Sequence, residues 1–286
     1  MDLSIIIVSY NTQDLLRQTI QSVIDTTHKI KYEIIVSDND SSDGSPLMVE
    51  QEFKEVKLIK TGANLGFSKG NNIGIKEAKG RYILLLNSDT VVKGNCLDEC
   101  VRYMDQHNEI GVLGCKIVLP SGKLDHACKR GFPTPQASLY YMLGLYKAYP
   151  NNPKYGAYCA AHLGEDEVGE ADALMGAFMM LPRAVIDEVG GLDEAFFMYG
   201  EDLDWCYRIK EAGYKVMYYP KEYIVHHKGS SSKKKRIKTI YEFHRAMILF
   251  YNKHYRKKHN LIVTLGVYFG VVARMIMTYI VNLWRK

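Results

Sequence analysis

The sequence contains no C-x-x-C pair, although six cysteines are spread from Cys96 to Cys206 in its 286 residues. It has no internal repeat and no low-complexity domain. Hydrophobic residues make up 47% and charged residues 24%, which excludes a disordered, collagen-like or coiled-coil chain. The first ten residues, MDLSIIIVSY, lack the basic region and the cleavage site of a signal peptide. We therefore expect a folded, reduced protein that faces the cytosol.

Acidic residues are almost absent from the C-terminal part of the chain. Residues 228–260 contain eleven Lys or Arg and a single acid, Glu242, and residues 261–286 contain three Lys or Arg and no acid. This tail carries a formal charge of +13, so the first 227 residues carry −8 within the overall +5. A strongly basic tail indicates a polyanionic partner, either nucleic acid or an anionic membrane.

The stretch Leu261–Leu283 contains one charge, Arg274, and has about the length that crosses a bilayer. A charge near its middle is costly for a simple span. Small and polar residues recur every four positions, namely Gly266, Gly270, Arg274, Thr278 and Asn282. This stripe either faces another helix, which is compatible with a homodimer, or faces lipid headgroups. The apolar run favours a membrane over nucleic acid as partner of the tail.

Continuously apolar strands alternate with helical patterns over residues 1–119. The predicted strands are Leu3–Val8, Glu33–Ser37, Val56–Lys60, Tyr82–Leu86 and Val112–Leu119. This alternation predicts an α/β fold, with a Rossmann-like, mostly parallel sheet and helices on both faces. Polar clusters at 9–12, 38–44 and 87–89 follow three of the strands. Ligands bind at that edge of such sheets, so we expect one crevice to collect the three loops.

The pattern loosens over residues 120–170, which carry five prolines and many tyrosines, and we assign no regular element there. Order returns with an apolar run at Leu174–Leu181 and a helix at Arg183–Val189. A second helix is predicted from Glu201 to Ala212. Two strand-like segments, Lys215–Tyr219 and Tyr223–His227, precede the basic tail.

Two carboxylates follow apolar strands and are candidates for binding. Asp38 at a strand tip accepts the imide N–H of uracil or thymine, which cytosine does not offer, although a plain turn uses the same residue types. Asp89 ends a strand of four consecutive apolar residues, where a carboxylate is costly unless it is paired or solvated in a cleft. One carboxylate together with phosphate oxygens is a usual way to hold a hard divalent cation.

A third cluster, Glu201, Asp202 and Asp204, begins a helix between aromatic flanks. The structural alternative is that these acids only complement the helix dipole. A carboxylate near the positive end of a helix stays ionised, which suits a general base that takes a proton from a hydroxyl. His226 follows an apolar strand, and such a histidine is more often structural than a ligand. It becomes a candidate site residue only together with Asp89.

In their order along the chain, six segments resemble glycosyltransferase family 2, most closely its rhamnosyltransferase-like branch. They are SIIIVSYNT, VSDNDSSDGS, NLGFSKGNNIGI, YILLLNSDT, the run from Gly176 to Val216, and VHHKGSS. The resemblance implies a GT-A domain at 1–232, with a nucleotide-sugar-binding half at 1–119 and an acceptor-binding and catalytic half at 120–232. Residues 233–286 then form a basic and apolar, membrane-associating helical tail.

The resemblance also implies roles for individual residues. The implied base and nucleotide-sugar-binding residues are Ser9, Tyr10, Asn11, Asp38, Asn64, Gly66, Asn71, Gly74, Asn87, Ser88, Asp89 and Glu201. Asn87 and Asp89 occupy the family's DXD site, with Asn in place of the first Asp. Asp89 and His226 would hold Mn²⁺ or Mg²⁺, and an imidazole ligand slightly favours Mn²⁺. Asp202 matches the catalytic base of an inverting, single-displacement transfer.

The implied donor is dTDP-rhamnose or another dTDP- or UDP-sugar, and the implied acceptor is a glycan or a polyprenyl-linked saccharide. We expect the protein at the cytoplasmic face of the inner membrane, peripheral or anchored by its C-terminal tail, in cell-surface polysaccharide synthesis. A nucleotidyltransferase and a non-catalytic nucleotide-sugar- or polyanion-binding protein are the alternatives. A nucleotidyltransferase lacks support because no triphosphate loop lies near the first strand. A dehydrogenase is disfavoured, since no G-x-G-x-x-G follows that strand.

Overall fold

The computed structural model describes residues 1–149, 152–228 and 236–284. The lysines at 233–235, and with them the predicted domain boundary, lie outside these residues. The helices are α1 (Gln13–Thr26), α2 (Ser45–Glu52), α3 (Gly66–Glu77), α4 (Cys96–Asp105), α5 (Pro135–Met142), α6 (Leu145–Ala148), α7 (Arg183–Val189), α8 (Glu201–Glu211), α9 (Arg236–His254) and α10 (Leu261–Leu283). The strands are β1 (Leu3–Ser9), β2 (Tyr32–Asp38), β3 (Lys57–Lys60), β4 (Tyr82–Leu86), β5 (Thr90–Val92), β6 (Ile110–Val118), β7 (Lys129–Arg130), β8 (Gly169–Glu170), β9 (Ala173–Leu174), β10 (Phe178–Pro182) and β11 (Lys215–His226).

The main sheet has the strand order β3-β2-β1-β4-β10-β6-β11-β5, and β8 pairs with β11 beside this path. Strands β3, β2, β1 and β4 are parallel to one another. Strand β10 runs antiparallel between β4 and β6, whereas β6 and β11 are again parallel. The predicted α/β fold with a mostly parallel sheet is therefore confirmed.

The central strand β1 is buried on both faces, because helices cover the sheet from both sides. Ile5, Ile6 and Ile7 have no exposed surface, as expected for a continuously apolar strand in a parallel sheet. Helix α3 approaches β1 closely at Gly74, where a Cβ atom would lie 2.4 Å from Cγ2 of Ile6. Glycine at this position lets the helix backbone pack directly on the sheet.

Two segments differ from the predicted pattern. The two strand-like stretches before the tail form one continuous strand, β11, with a register shift between Tyr219 and Tyr223. Pro220 lies within this irregularity, where no ladder hydrogen bond is required of its nitrogen. We assigned no element to residues 120–170, and the described residues of this range, 120–149 and 152–170, hold only short ones: α5, α6, the two-residue strands β7 and β8, and two single turns of 3₁₀-helix.

The C-terminal helices form a hairpin that packs on the body of the protein. Phe250 and Tyr255, on α9 and just after it, are buried in the hydrophobic core. Helix α10 folds back on α9, and the hydroxyls of Tyr251 and Thr264 lie 2.9 Å apart. Among the described residues, α10 is the helix long and apolar enough to cross a membrane, and only 6% of its most apolar window is buried.

A buried ionic cluster joins the hairpin to α8. Asp204 has no exposed surface, and its Oδ1 lies 2.7 Å from Nε2 of His254 and 2.8 Å from Nζ of Lys253, both on α9. Its Oδ2 accepts a hydrogen bond of 2.9 Å from Nε of Arg208. Asp204 therefore fixes the tail relative to the helix that carries Asp202.

Candidate active site

A cavity of about 1070 Å³ lies at the carboxyl ends of β1, β2 and β4. Nine of the residues predicted from the sequence line it, namely Tyr10, Asn64, Gly66, Asn87, Ser88, Asp89, Glu201, Asp202 and His226. Five others, Ser9, Asn11, Asp38, Asn71 and Gly74, are not part of its wall. The fold therefore brings loops from both halves of the chain to one place, as ligand-binding α/β sheets do.

Asp89 and His226 meet because β5, which follows Asp89, pairs with the end of β11. The register places His226 opposite Thr90 and leaves Nε2 of His226 3.1 Å from Oδ1 of Asp89. On its other side, Nδ1 of His226 lies 3.7 Å from Oδ2 of Asp125. Burial lowers the pKa of His226, but the two carboxylates outweigh burial and raise it to about 9.

Asp125 was not among the predicted residues. It lies on the side of the His226 ring opposite Asp89. Lys228 donates a hydrogen bond of 2.8 Å to Oδ1 of Asp125. Burial raises the pKa of the Asp125 carboxyl, but the nearby imidazole of His226 and the hydrogen bond from the Lys228 ammonium outweigh burial and hold it well below its usual range. No pattern in the sequence predicts this contact, since Asp125 lies in the aperiodic segment before β7.

Asp89 and His226 are the candidate ligands for a divalent cation. Across 1–149, 152–228 and 236–284, no group of three or more His, Cys, Asp or Glu side chains is arranged to hold a metal ion. Asp89 and His226 supply one carboxylate and one imidazole. That number fits a cation that takes its other ligands from phosphate oxygens and water. Binding would also require neutral His226 and so would release a proton.

The two residues before α8 have left-handed backbone conformations, and the turn they form directs the acidic first turn of α8 into the cavity. Tyr199 has φ of +71° and Gly200 has φ of +80°. Such a conformation is strained for a bulky residue such as tyrosine, and strain of this kind clusters at functional sites. A Cβ on Gly200 would lie 3.2 Å from Phe196, so the turn also packs tightly.

The carboxylate of Asp202 is held by three donors. Its Oδ1 accepts the N–H of Leu203 at 2.8 Å, and its Oδ2 accepts the N–H of Gly176 at 3.2 Å. Arg130 on β7 completes the set with an ion pair to Oδ2 at 2.5 Å. A carboxylate offers about four lone-pair sites, so Asp202 retains capacity for a hydroxyl donor in the cavity.

Glu201 lies beside Asp202 in a different environment. It is 6% exposed, and its Oε2 has no hydrogen-bond partner among the described residues. Burial, followed by repulsion from Asp202, raises the pKa of Glu201 to about 8. At neutral pH Glu201 is protonated, whereas Asp202 is ion-paired. Of the two adjacent carboxyl groups, only Asp202 is placed to accept a proton.

The polar loops after β1 and β2 bind each other. Ser9 and Asp38 are neighbours across the two strands, and Oδ1 of Asn11 accepts the N–H of Ser42 at 2.8 Å. Asp38 is 1% exposed, and its Oδ1 accepts the N–H of Ser41 at 2.8 Å. Its Oδ2 has no hydrogen-bond partner within the described part of the chain, which leaves a buried acceptor for a ligand donor.

The segment from Asn64 to Ile75 connects the two halves of the site. Gly66 has φ of +85°, and a Cβ there would lie 2.4 Å from the carbonyl oxygen of Phe197. Ser68 donates a hydrogen bond of 2.6 Å to the carbonyl of Phe196, so α3 holds the loop that leads into α8. Asn71 binds the carbonyl of Phe67 within its own helix at 2.9 Å.

Comparison with known proteins identifies the family. Residues 4–158 match the family model for glycosyl transferase family 2, and residues 82–284 match the model for glycosyl transferase family group 2. The chain is 26% identical over 259 residues to N-acetylglucosaminyl-diphospho-decaprenol L-rhamnosyltransferase of Mycobacterium tuberculosis, covering 87% of this chain and 83% of that protein. It is 29% identical over 234 residues to rhamnosyltransferase WbbL of Escherichia coli, covering 78% and 82%.

Solved structures share the fold at lower identity. The mannosyltransferase PcManGT from Pyrobaculum calidifontis, in complex with GDP-Man and Mn²⁺, has a TM-score of 0.61 at 14% identity and covers 96% of this chain and 69% of that one. S. aureus TarS 1-349 in complex with UDP-GlcNAc has a TM-score of 0.58 at 18% identity, and the match covers 87% of this chain and 65% of that one. The GT-A fold expected from the sequence is thereby confirmed. With both family models matching more than half of its length, the chain belongs to glycosyltransferase family 2 and is a glycosyltransferase whose relatives include rhamnosyltransferases.

Proposed function

We propose that this enzyme transfers a sugar, L-rhamnose first among the candidates, from a dTDP- or UDP-sugar to a hydroxyl of a lipid-linked saccharide, with inversion. The observation that carries the proposal is that Asp89, His226 and Asp202 line one cavity although they are far apart in sequence. The relatives named as rhamnosyltransferases support the choice of sugar. The relative acting on a diphospho-decaprenol substrate supports a lipid-linked acceptor in cell-surface polysaccharide synthesis.

The donor nucleotide would bind along the ends of β1, β2 and β4. The unsatisfied Oδ2 of Asp38 suits the imide N–H of uracil or thymine. Asp89 and His226 would hold Mn²⁺ or Mg²⁺ together with the donor diphosphate. A divalent cation bound there supplies positive charge against the negative charge that develops on the leaving group.

The chemical step we propose is a single displacement at the anomeric carbon. Asp202 accepts the proton of the acceptor hydroxyl as the hydroxyl oxygen bonds to that carbon, and the bond from the carbon to the donor diphosphate oxygen breaks, releasing the nucleoside diphosphate. Arg130 fixes the orientation of the Asp202 carboxylate through its ion pair. Glu201, protonated at neutral pH, donates a hydrogen bond to a sugar oxygen. One displacement without a covalent intermediate inverts the configuration of the transferred sugar.

We place the enzyme at the cytoplasmic face of the inner membrane, held there by α10 and the basic residues of 233–286. The exposure of Phe269 on α10, at 76%, and of Trp284 directly after it, at 86%, supports contact with lipid. Removal of residues 261–286 should move the protein from the membrane to the soluble fraction. Removal of all residues from 233 to 286 is a poor test, because it also removes Phe250 and Tyr255 from the core.

The test of the proposed function is a donor screen. The purified protein is incubated with Mn²⁺ or Mg²⁺ and a panel of dTDP-, UDP- and GDP-sugars, with and without chelator, and donor hydrolysis and thermal stabilisation are measured. We expect a metal-dependent response to a dTDP- or UDP-sugar. A folded protein that responds to none of them would support a nucleotide-sugar- or polyanion-binding protein instead. Release of pyrophosphate from a nucleoside triphosphate and a sugar phosphate would indicate a nucleotidyltransferase.

A further inference from the structure

The active-site cavity extends beyond Asp202 into an apolar groove between α5 and the α9–α10 hairpin. Leu139 and Met142 of α5 form one side of this groove. Met247 of α9 and Val267 of α10 line the opposite side of the same continuous space. A groove of this composition has no evident use in binding a nucleotide sugar, which is polar along its whole length.

Two glycines in α10 contribute open space to the wall of the groove. Gly266 and Gly270 lie one helical turn apart and both line the cavity. A Cβ on either residue would meet no atom within 4 Å among the described residues, so tight helix packing does not require glycine here. Glycine inside a helix is less stable than alanine. The two positions therefore keep a strip of the groove wall free of side chains.

Two cationic side chains, Arg274 and Lys238, line the cavity near this strip. Arg274, one turn after Gly270, lines the cavity, and its guanidinium lies 5.6 Å from the centre of the Phe243 ring. Lys238 also lines the cavity, 4.1 Å from the ring centre of Phe197. Neither cation forms an ion pair with a carboxylate in the described part of the chain, whereas Lys253 of the same hairpin is paired with two. The groove thus offers an apolar strip next to unpaired positive charge.

We propose that this groove, the acceptor groove, binds an isoprenoid diphosphate that carries the acceptor saccharide. The chain would lie along Gly266 and Gly270, and the diphosphate would bind Arg274 and Lys238. This inference rests on the proposed function and adds the place where the lipid is held. Continuity with Asp202 favours this occupant over a bulk phospholipid, because a saccharide attached to the diphosphate then extends toward the proposed base. The outer face of α10, exposed at Phe269, lets the chain enter from a bilayer.

The test measures binding of four probes to the full-length protein in detergent with chelator present. The probes are geranylgeranyl diphosphate, geranylgeraniol, inorganic pyrophosphate and phosphatidylglycerol. The variants are Arg274→Gln, Arg274→Lys as the charge-retaining control, and Gly266→Leu with Gly266→Ala as its small control. Binding of dTDP and UDP to each variant, measured separately with Mn²⁺ added and no chelator, reports whether the variant is folded.

We expect geranylgeranyl diphosphate to bind at least about tenfold more tightly than any other probe. Arg274→Gln should weaken its binding about tenfold, the loss of one charge-assisted contact, and leave geranylgeraniol unaffected. Arg274→Lys should restore most of the affinity. Gly266→Leu should weaken both isoprenoids, whereas Gly266→Ala should weaken neither.

Several outcomes would overturn the inference. One is that phosphatidylglycerol binds as tightly as geranylgeranyl diphosphate, which would indicate a general anionic-lipid surface. A second is that Arg274→Gln leaves the affinity for geranylgeranyl diphosphate unchanged. A third is that a protein that binds nucleotide does not bind geranylgeranyl diphosphate at all. Failure of the wild-type protein to bind any nucleotide or nucleotide sugar would refute the proposed function. Binding of the isoprenoid diphosphate in that case would still support the groove, so the two failures are distinguishable.

Discussion

Replacement of Asp204 by asparagine tests how firmly the tail is tied to the catalytic helix. Asp204 is fully buried, and its carboxylate contacts the cations of Arg208 and Lys253 and the imidazole of His254. Burial raises the pKa of Asp204, but the bonds from His254 and Lys253 outweigh burial and lower it to about 2. Relative to an ordinary value of 3.8, this shift corresponds to about 2 kcal/mol of folding free energy at neutral pH.

The variant should lose more than this value of about 2 kcal/mol, because the partly buried Arg208 and Lys253 would be left without their counter-charge. Breaking a buried ion pair from one side typically costs about 3–5 kcal/mol. We therefore expect Asp204→Asn to lower the free energy of unfolding by about 2–5 kcal/mol at pH 7. Urea unfolding in detergent, followed by tryptophan fluorescence and circular dichroism, measures this difference.

The pH dependence adds a second check with a defined sign. A carboxylate whose pKa is depressed on folding stabilises the protein above its unfolded pKa, and this contribution is lost as the pH falls from about 4 through about 2. The difference between wild type and variant should therefore be smaller at pH 3 than at pH 7. Asp193→Asn is the matched control, since Asp193 also pairs with Lys253 but is 31% exposed, and surface pairs contribute at most about 1 kcal/mol. Equal losses for the two variants, or a loss below about 1 kcal/mol for Asp204→Asn, would refute the reasoning.

Three further predictions concern the site. Asp202→Asn should keep donor binding and lose turnover by at least about 100-fold, measured as sugar transfer, because no proton acceptor remains, and near-normal turnover would exclude Asp202 as the base. Asp89→Ala should weaken donor binding and reduce its dependence on added Mn²⁺ in calorimetric titrations, whereas unchanged metal dependence would exclude Asp89 as a ligand. Glu201→Gln mimics the protonated form and should retain activity at pH 7. Because the pKa of Glu201 is raised to about 8 in the folded protein, wild type loses stability as the pH rises from about 4.5 toward 8. The thermal midpoint of Glu201→Gln should therefore exceed that of wild type by more at pH 8 than at pH 5. Parallel pH profiles would contradict this assignment.

The regular part of the fold was predictable because its signals are local. Strand β4 and helix α7 have the predicted bounds, since continuous apolar runs and helical periodicity are set by neighbouring residues. The break in β11 was misjudged because Pro220 signals a strand end, whereas the β-bulge that accommodates it depends on pairing with β6. Residues 120–170 carried no usable pattern, since their elements are too short to show a period.

In the candidate site, too, the residues with a local sequence signal were predicted and those brought in by tertiary contacts were not. Glu201 and Asp202 stood out because they open a helix between aromatic flanks. Arg130 and Asp125, which contact Asp202 and His226, were not found, because neither belongs to a periodic element or a motif. Their contacts join residues 72 and 101 positions apart, and no local pattern encodes such a pairing.

The sequence by itself determined the family, the alternation of strands and helices, and the apolar C-terminal helix, because each depends on residue types in fixed local order. Only the tertiary structure decided that α9 packs on the body and that Asp204 ties it to α8. It also decided that Arg274, an isolated charge in an apolar stretch, faces the same cavity as Asp202. The physical reason is that burial, ion pairing and pKa are properties of the folded surroundings, which bring together groups that the chain keeps far apart.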